Sequence, residues 1–248
     1  MSDLKRKPWS RDELLLAINL YCKTPFGKIH VRNPEIIELA NLLGRTPGSI
    51  SYKLANFASI DQSLPRKGAS NVSKLDRKVW SDFFDNWEMM SYESELALSK
   101  IQNKEIQFEM LLVIPEGRTR DTVVKARINQ TFFRRTIIAS YGACCITGLS
   151  IPELLVASHI VPWSKDVRNR TNPKNGLCLN PLHDKAFDVG LITIDENYKV
   201  KGSTRITNTS AEESKILTNF IGIKINLPNR FAPDQEFLSY HRENIFRV

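Results

Sequence analysis

Three consecutive stretches decide the reading of this chain: Cys145-Ile-Thr-Gly-Leu149, Ala157-Ser-His-Ile-Val-Pro-Trp163, and Asn172-Pro-Lys-Asn-Gly-Leu-Cys-Leu-Asn-Pro-Leu-His-Asp-Lys-Ala-Phe-Asp-Val-Gly-Leu-Ile192. The run Leu154–Val161 is rich in β-formers and predicts a mostly buried strand carrying His159, ended by Pro162-Trp163. Asn175-Gly176 reads as a turn, with a short returning strand over Leu177–Leu179. Asn180 then caps a helix opened by Pro181, and on that helix Asp184 and Asp188 stand one turn apart on one side. An imidazole on a strand can take a proton from water near neutral pH. Two carboxylates at i and i+4 are hard oxygen donors suited to Mg²⁺ or Mn²⁺.

The order of these elements resembles the HNH nuclease family, in the branch that lacks the zinc cysteines and ends its motif in an Asp-x-x-x-Asp helix. The resemblance implies a two-stranded hairpin followed by a helix around one divalent metal. It makes His159 the general base and Asn175 the residue that steadies hairpin and histidine. Asp184 and Asp188 become metal ligands, with His183 as an alternative catalytic or metal-binding residue. Ser158 stands where many relatives carry an aspartate or histidine ligand, which implies weaker or water-mediated coordination there. Gly148 and Pro181 occupy the positions three residues after Cys145 and Cys178, so the paired cysteines of a structural zinc site are missing.

Upstream, the sequence predicts a small helical reading head. Ser10 and Glu13 form a capping box for a helix over about Arg11–Cys22. Asn33-Pro34 starts a second helix that Gly44 stops, and Thr46-Pro47 starts a third, ending near Phe57. Two short helices around a Gly-containing turn form a helix-turn-helix pattern, whose second helix enters a DNA major groove. Ser49, Tyr52, Lys53 and Asn56 are expected to face outward from it, with Tyr52 and Asn56 available to bases and Lys53 and Arg45 to phosphates. Residues 24–32 read as a turn and a β-like run that would supply a wing. A helix over Lys74–Trp87 closes this part, and a more polar helix from Tyr92 begins a connector.

The chain carries 35 Lys and Arg against 27 Asp and Glu, a net charge of +8 that attracts polyanions. Residues 117–136 concentrate six basic side chains against one acid. A helix over Val123–Tyr141 would place Arg127 and Arg134 near one face, and Arg168, Arg170 and Lys174 lie between His159 and Asn175. All are candidate phosphate contacts. Toward the C-terminus, strands are expected over Ile192–Val200, a helix over Ala211–Phe220 and another over Asp234–Phe246, with His241 read as a packing residue.

Four cysteines are too few for a disulfide framework, and no apolar run approaches a membrane span. These features fit a soluble protein of a reducing, cytoplasmic, bacterial-type compartment, with no membrane partner. The expectation is therefore an α+β chain: a helix-turn-helix or winged-helix-like domain over 1–91, a helical connector over 92–116 and a ββα-metal nuclease domain over 117–248. Its implied activity is metal-dependent hydrolysis of double-stranded DNA by a homodimer, in restriction or defence. A non-catalytic DNA-binding regulator with a decayed nuclease domain, and a nickase or RNase, are the alternatives.

Overall fold

The computed structural model describes residues 7–64, 71–102, 120–208 and 212–247. Its chain divides into two compact units, Met1–Ile128 and Asn129–Val248. Mixed helices and two small antiparallel sheets make it an α+β fold.

The first unit is built on helix α1 (Arg11–Lys23), whose Ser10–Glu13 capping box forms as the sequence predicts. The unbroken apolar run Leu14–Ile18 is buried on every side rather than along a stripe. Around it lie α2 (Pro34–Leu43), α3 (Pro47–Ile60), α4 (Lys74–Asp85) and α5 (Trp87–Ile101). Gly44 ends α2 in the left-handed region at φ 61°, where a side chain would be strained, and Thr46 caps α3. The start of the expected connector is part of α5 and docks on α1: Asn19 Nδ2 donates to Ser94 Oγ (2.7 Å), and Lys23 Nζ meets Glu95 (2.6 Å). Its remainder, 103–116, lies outside the described residues.

The expected wing is corrected. Phe26–Lys28 is a single 3₁₀ turn led by Pro25, and among the described residues this unit contains no strand. Pro25 offers no N–H to a ladder, and Gly27 adds nothing to pack on a sheet face.

Helix α6 (Arg120–Tyr141) opens in the first unit and closes in the second. In the second unit, β1 (Val156–His159) and β2 (Gly176–Leu179) form an antiparallel hairpin with Val156 opposite Leu179 and His159 opposite Gly176. Helix α7 (Pro181–Asp188) follows at once, capped by Asn180. A second hairpin, β3 (Ile192–Ile194) with β4 (Val200–Gly202), comes next. Then come the single turns α8 (Thr204–Thr207) and α9 (Lys215–Thr218), and finally α10 (Gln235–Asn244). Phe133, Ile137, Leu155, Leu177, Leu179, Phe187, Ile192 and Leu238 join one buried core beneath the two hairpins.

The first hairpin departs from expectation in two respects. Pro152–Leu154 is a 3₁₀ turn, so β1 starts later than predicted. Gly176 is not a turn residue but the first residue of β2, extended at φ −144°. A side chain is excluded there by packing: an ideal Cβ would lie 2.5 Å from Ile137 Cδ1 and 2.7 Å from Phe133 Cζ. The glycine admits α6 against the hairpin, and the strands are joined by the longer segment 160–175.

Candidate active site

The segment 160–175 is held by its own polar side chains. Asn175 is buried and acts as a surrogate strand: its Oδ1 accepts from Val161 N–H (2.8 Å) while its Nδ2 donates to Val161 O (3.2 Å) and Asn169 O (3.3 Å). Asp166 accepts from the backbone of Arg168 and Asn169 and from Asn169 Nδ2. Arg170 closes the segment, donating from Nε to Trp163 O (2.7 Å) with its guanidinium over the Trp163 ring. A long connection that would ordinarily be mobile thus has defined geometry where it passes His159.

His159 ends β1 with its ring stacked on Phe133 (3.9 Å between centroids, 14° between planes) and edge-on to Trp163 (5.5 Å). Its Nε2 lies 2.8 Å from the Arg170 carbonyl oxygen. A carbonyl only accepts, so Nε2 carries the proton and donates, which leaves the Nδ1 lone pair bare in the neutral ring. Burial pushes this imidazole below its ordinary range; the Arg170 carbonyl bond opposes that and the Arg170 charge adds to it.

A cleft of about 320 Å³ gathers the residues the sequence singled out: Ser158, His159, Asp184 and Asp188 share its lining with Pro162 and Trp163 of the loop and His241 and Ile245 from the C-terminal end. Burial raises the Asp188 carboxyl above its usual range, and the neighbouring Asp184 charge raises it further. Ser158 is buried, and its Oγ has no hydrogen-bond partner. An orphaned hydroxyl and two mutually repelling carboxylates on one cleft form an all-oxygen donor set that fits a hard cation. Among the described residues no three His, Cys, Asp or Glu side chains form a metal cage by themselves. Coordination there would have to be completed by Ser158, water or substrate oxygens.

Within this geometry lies a family match: residues 144–195 fit the model of the HNH endonuclease family. Over this segment the chain is similar to HNH endonucleases. No curated protein matches the chain. The HNH segment contains both hairpin strands, α7 and β3, and all of Ser158, His159, Asn175, Asp184 and Asp188. It marks a nuclease-type enzyme acting on nucleic acid, of a family that generally uses a divalent metal. His241 and Ile245 of the cleft lie beyond it.

Several sequence-expected positions are corrected. His183 does not line the cleft: it is buried with its ring edge on Phe220 (5.3 Å), and its Nδ1 bonds the capping Asn180 Oδ1 (3.0 Å). It stands at the third position of α7, next to Asp184, and its Nε2 has no hydrogen-bond partner. In α3, Lys53 and Asn56 do not face outward. Lys53 is buried and its Nζ pairs with both oxygens of Asp76 (2.8 and 3.0 Å), and Asn56 is 2% exposed. Arg45 is turned inward onto Glu13 (2.7 Å) and stacks over Trp9. Tyr52, 49% exposed, and the half-buried Ser49 remain on the surface of α3, with Asn71 Nδ2 donating to the Tyr52 hydroxyl (3.1 Å).

In the other basic stretches, Arg127, Arg168 and Lys174 are exposed. Arg134 has an exposed position, but its guanidinium donates to the carbonyls of Leu155 (2.5 Å) and Pro152 (3.3 Å), bracing the entry to β1. The sequence missed His241 as part of the cleft, because no spacing rule links α10 to the hairpin; only its apolar neighbours Leu238 and Ile245 hinted that it docks.

Proposed function

We propose that the chain is a metal-dependent DNA endonuclease that hydrolyses phosphodiester bonds with His159 as general base. The observation that carries this reading is the single cleft lined by His159 together with Ser158, Asp184 and Asp188. The Arg170 carbonyl fixes the tautomer of His159, so Nδ1 accepts the proton of an attacking water while the Phe133 stack holds the ring plane. Asn175, through its bonds to Val161, keeps the connecting segment and hence the Arg170 carbonyl in register with β1. Asp184, Asp188 and the Ser158 hydroxyl would hold Mg²⁺ or Mn²⁺. Such an ion supplies positive charge for a phosphate oxygen and the departing 3′ oxygen.

Arg168 and Lys174, exposed on the ordered segment beside His159, supply sequence-independent phosphate contacts that favour a duplex backbone as substrate. One such site serves one strand, so cleavage of both strands calls for two copies and a homodimer. Restriction or defence, with a requirement for a modified base left open, is the role that fits such an activity in a cytoplasmic setting. The test is cleavage of plasmid DNA in Mg²⁺ or Mn²⁺ by the wild type and by His159→Ala. The substitution is expected to remove about 10²–10⁴ in rate while sparing DNA binding. Equal nicking by the two proteins rejects the assignment.

A further inference from the structure

We propose that His241 is a positioning residue for the carboxylate face of α7, acting from a helix outside the HNH segment. The inference rests on the cleft reading above. His241 is 1% exposed, and both of its ring nitrogens are engaged. Nε2 is 3.0 Å from the Phe187 carbonyl oxygen and so donates to it; Nδ1, left as the acceptor, takes the Thr193 hydroxyl at 2.8 Å. The ring also lies flat on the Phe187 ring, with centroids 3.6 Å apart and planes 12° apart. Phe187 sits between Asp184 and Asp188 on α7, and Thr193 is in β3. One neutral side chain therefore ties the last turn of the carboxylate helix to both α10 and the second hairpin.

The chain around it reinforces the same joint. The Phe187 carbonyl also accepts from Gly190 N–H (2.9 Å), and the Gly190 carbonyl accepts from Arg247 N–H (2.9 Å). Gly190, at φ +74°, leaves no room for a side chain: an ideal Cβ would lie 2.1 Å from the Ile245 carbonyl oxygen. Arg242 Nη1 donates to Ile194 O (2.9 Å), fixing α10 to β3 on its other side. With both nitrogens committed, His241 moves no proton of the reaction although it lines the cleft. An apolar ring would fill the same space, but it would not fix the rotation of α7 about its axis, because packing is far less directional than a hydrogen bond. That rotation sets where Asp184 and Asp188 point, and partners of this kind commonly govern metal affinity.

The experiment is Mn²⁺ binding to the full-length chain by calorimetry, with circular dichroism and thermal melting as the check of folding. Four proteins are compared with the wild type: Asp184→Asn combined with Asp188→Asn, and His241→Phe, His241→Gln and His241→Asn. The double carboxamide variant is expected to lose binding; if it binds as the wild type does, the cleft reading itself fails, and this inference with it. His241→Phe keeps the stack and loses the donor, so its affinity is expected to fall about 10–100-fold. His241→Gln places an amide N–H near the position of Nε2 and is expected to recover affinity to within a few-fold, whereas the shorter His241→Asn is not. A folded His241→Phe with wild-type affinity overturns the proposal. Should His241→Phe fail to fold, the Gln and Asn pair decides, and equal affinities in the two overturn it.

Discussion

The two units differ in how several of their buried polar side chains are partnered. The first buries cations against carboxylates: Lys53 on Asp76, Lys23 on Glu95, Arg45 on Glu13. The second, although it also buries Arg230, holds neutral groups against the backbone around the cleft, as in Asn175 on Val161, His159 on Arg170 and His241 on Phe187, and leaves the buried Ser158 hydroxyl without a hydrogen-bond partner. Ion pairs of the first kind consume the very side chains that would otherwise meet a phosphate. Neutral bonds of the second kind fix direction without cancelling charge, which suits the site proposed above, where a lone pair and two carboxylates are presented. Basic composition alone therefore does not tell a reading surface from a structural lattice.

The widest separation between the units is expected in what a single substitution destroys. His159→Ala removes rate, as above. Asp76→Ala leaves the Lys53 ammonium buried and unpaired, and is expected to cost about 3–5 kcal/mol of stability, read by thermal or urea unfolding. Lys53→Met, which replaces the charge with an apolar chain of similar length beside an Asp76 that still caps α4 through Ser73, separates structural from DNA-contacting roles. If Lys53→Met stays folded yet loses DNA affinity in a binding titration, the outward reading of Lys53 is restored and the contrast between the units breaks.

Acid should loosen the two units in different pH windows. Burial first, then the neighbouring Arg242 charge, lower the His241 imidazole to about 4, with the Phe187 carbonyl bond opposing them. The unfolded chain then binds more protons than the native one between about 6.5 and 4. The stability from this group is complete above the upper value and is lost as pH falls to the lower, by about 3 kcal/mol in all. Glu13 works lower on the scale. Burial pushes its carboxyl up, but hydrogen bonds from Arg45, the Ser10 backbone and Lys7 outweigh that and hold it at about 2. Its contribution is present above about 4.5 and disappears only as pH falls toward 2. Hydrogen exchange read on peptides of α10 and α1, corrected for intrinsic rates, is expected to show α10 losing protection first. Simultaneous loss would mean that His241 does not carry the difference.

What the sequence made legible was local. The Ser10–Glu13 box, the Asn33-Pro34 and Asn180-Pro181 starts, and the spacing of Asp184 and Asp188 are all settled within a few residues of chain, and the helices begin where these signals place them. What it hid depends on partners brought from far away. Lys53 looks like a surface residue until Asp76 arrives from α4. Asn175-Gly176 has the chemistry of a turn until α6 packs within reach of Gly176 and Asn175 takes up Val161. The same holds for His241, whose role exists only because α10 returns to α7. For His183 the letter matched the motif, but its burial and its bond to Asn180 were not legible.

The smallest expected effect tests the surface that the second unit leaves free. Arg168 and Lys174 are exposed near His159, on a segment that Asp166 and Asn175 hold in place. A phosphate contact made by either one releases about one counterion, so each substitution, Arg168→Ala or Lys174→Ala, is expected to reduce the slope of log affinity against log salt by about 1. Affinity should fall by a similar factor for every duplex sequence, because a phosphate contact carries no base information. The comparison residue is Arg45: its guanidinium is already committed to Glu13, so Arg45→Met should leave the salt slope unchanged if it folds. A slope that drops for Arg45→Met and not for Arg168→Ala would place the main electrostatic grip in the first unit, and the contrast between a charge-consuming unit and a charge-presenting one would be reversed.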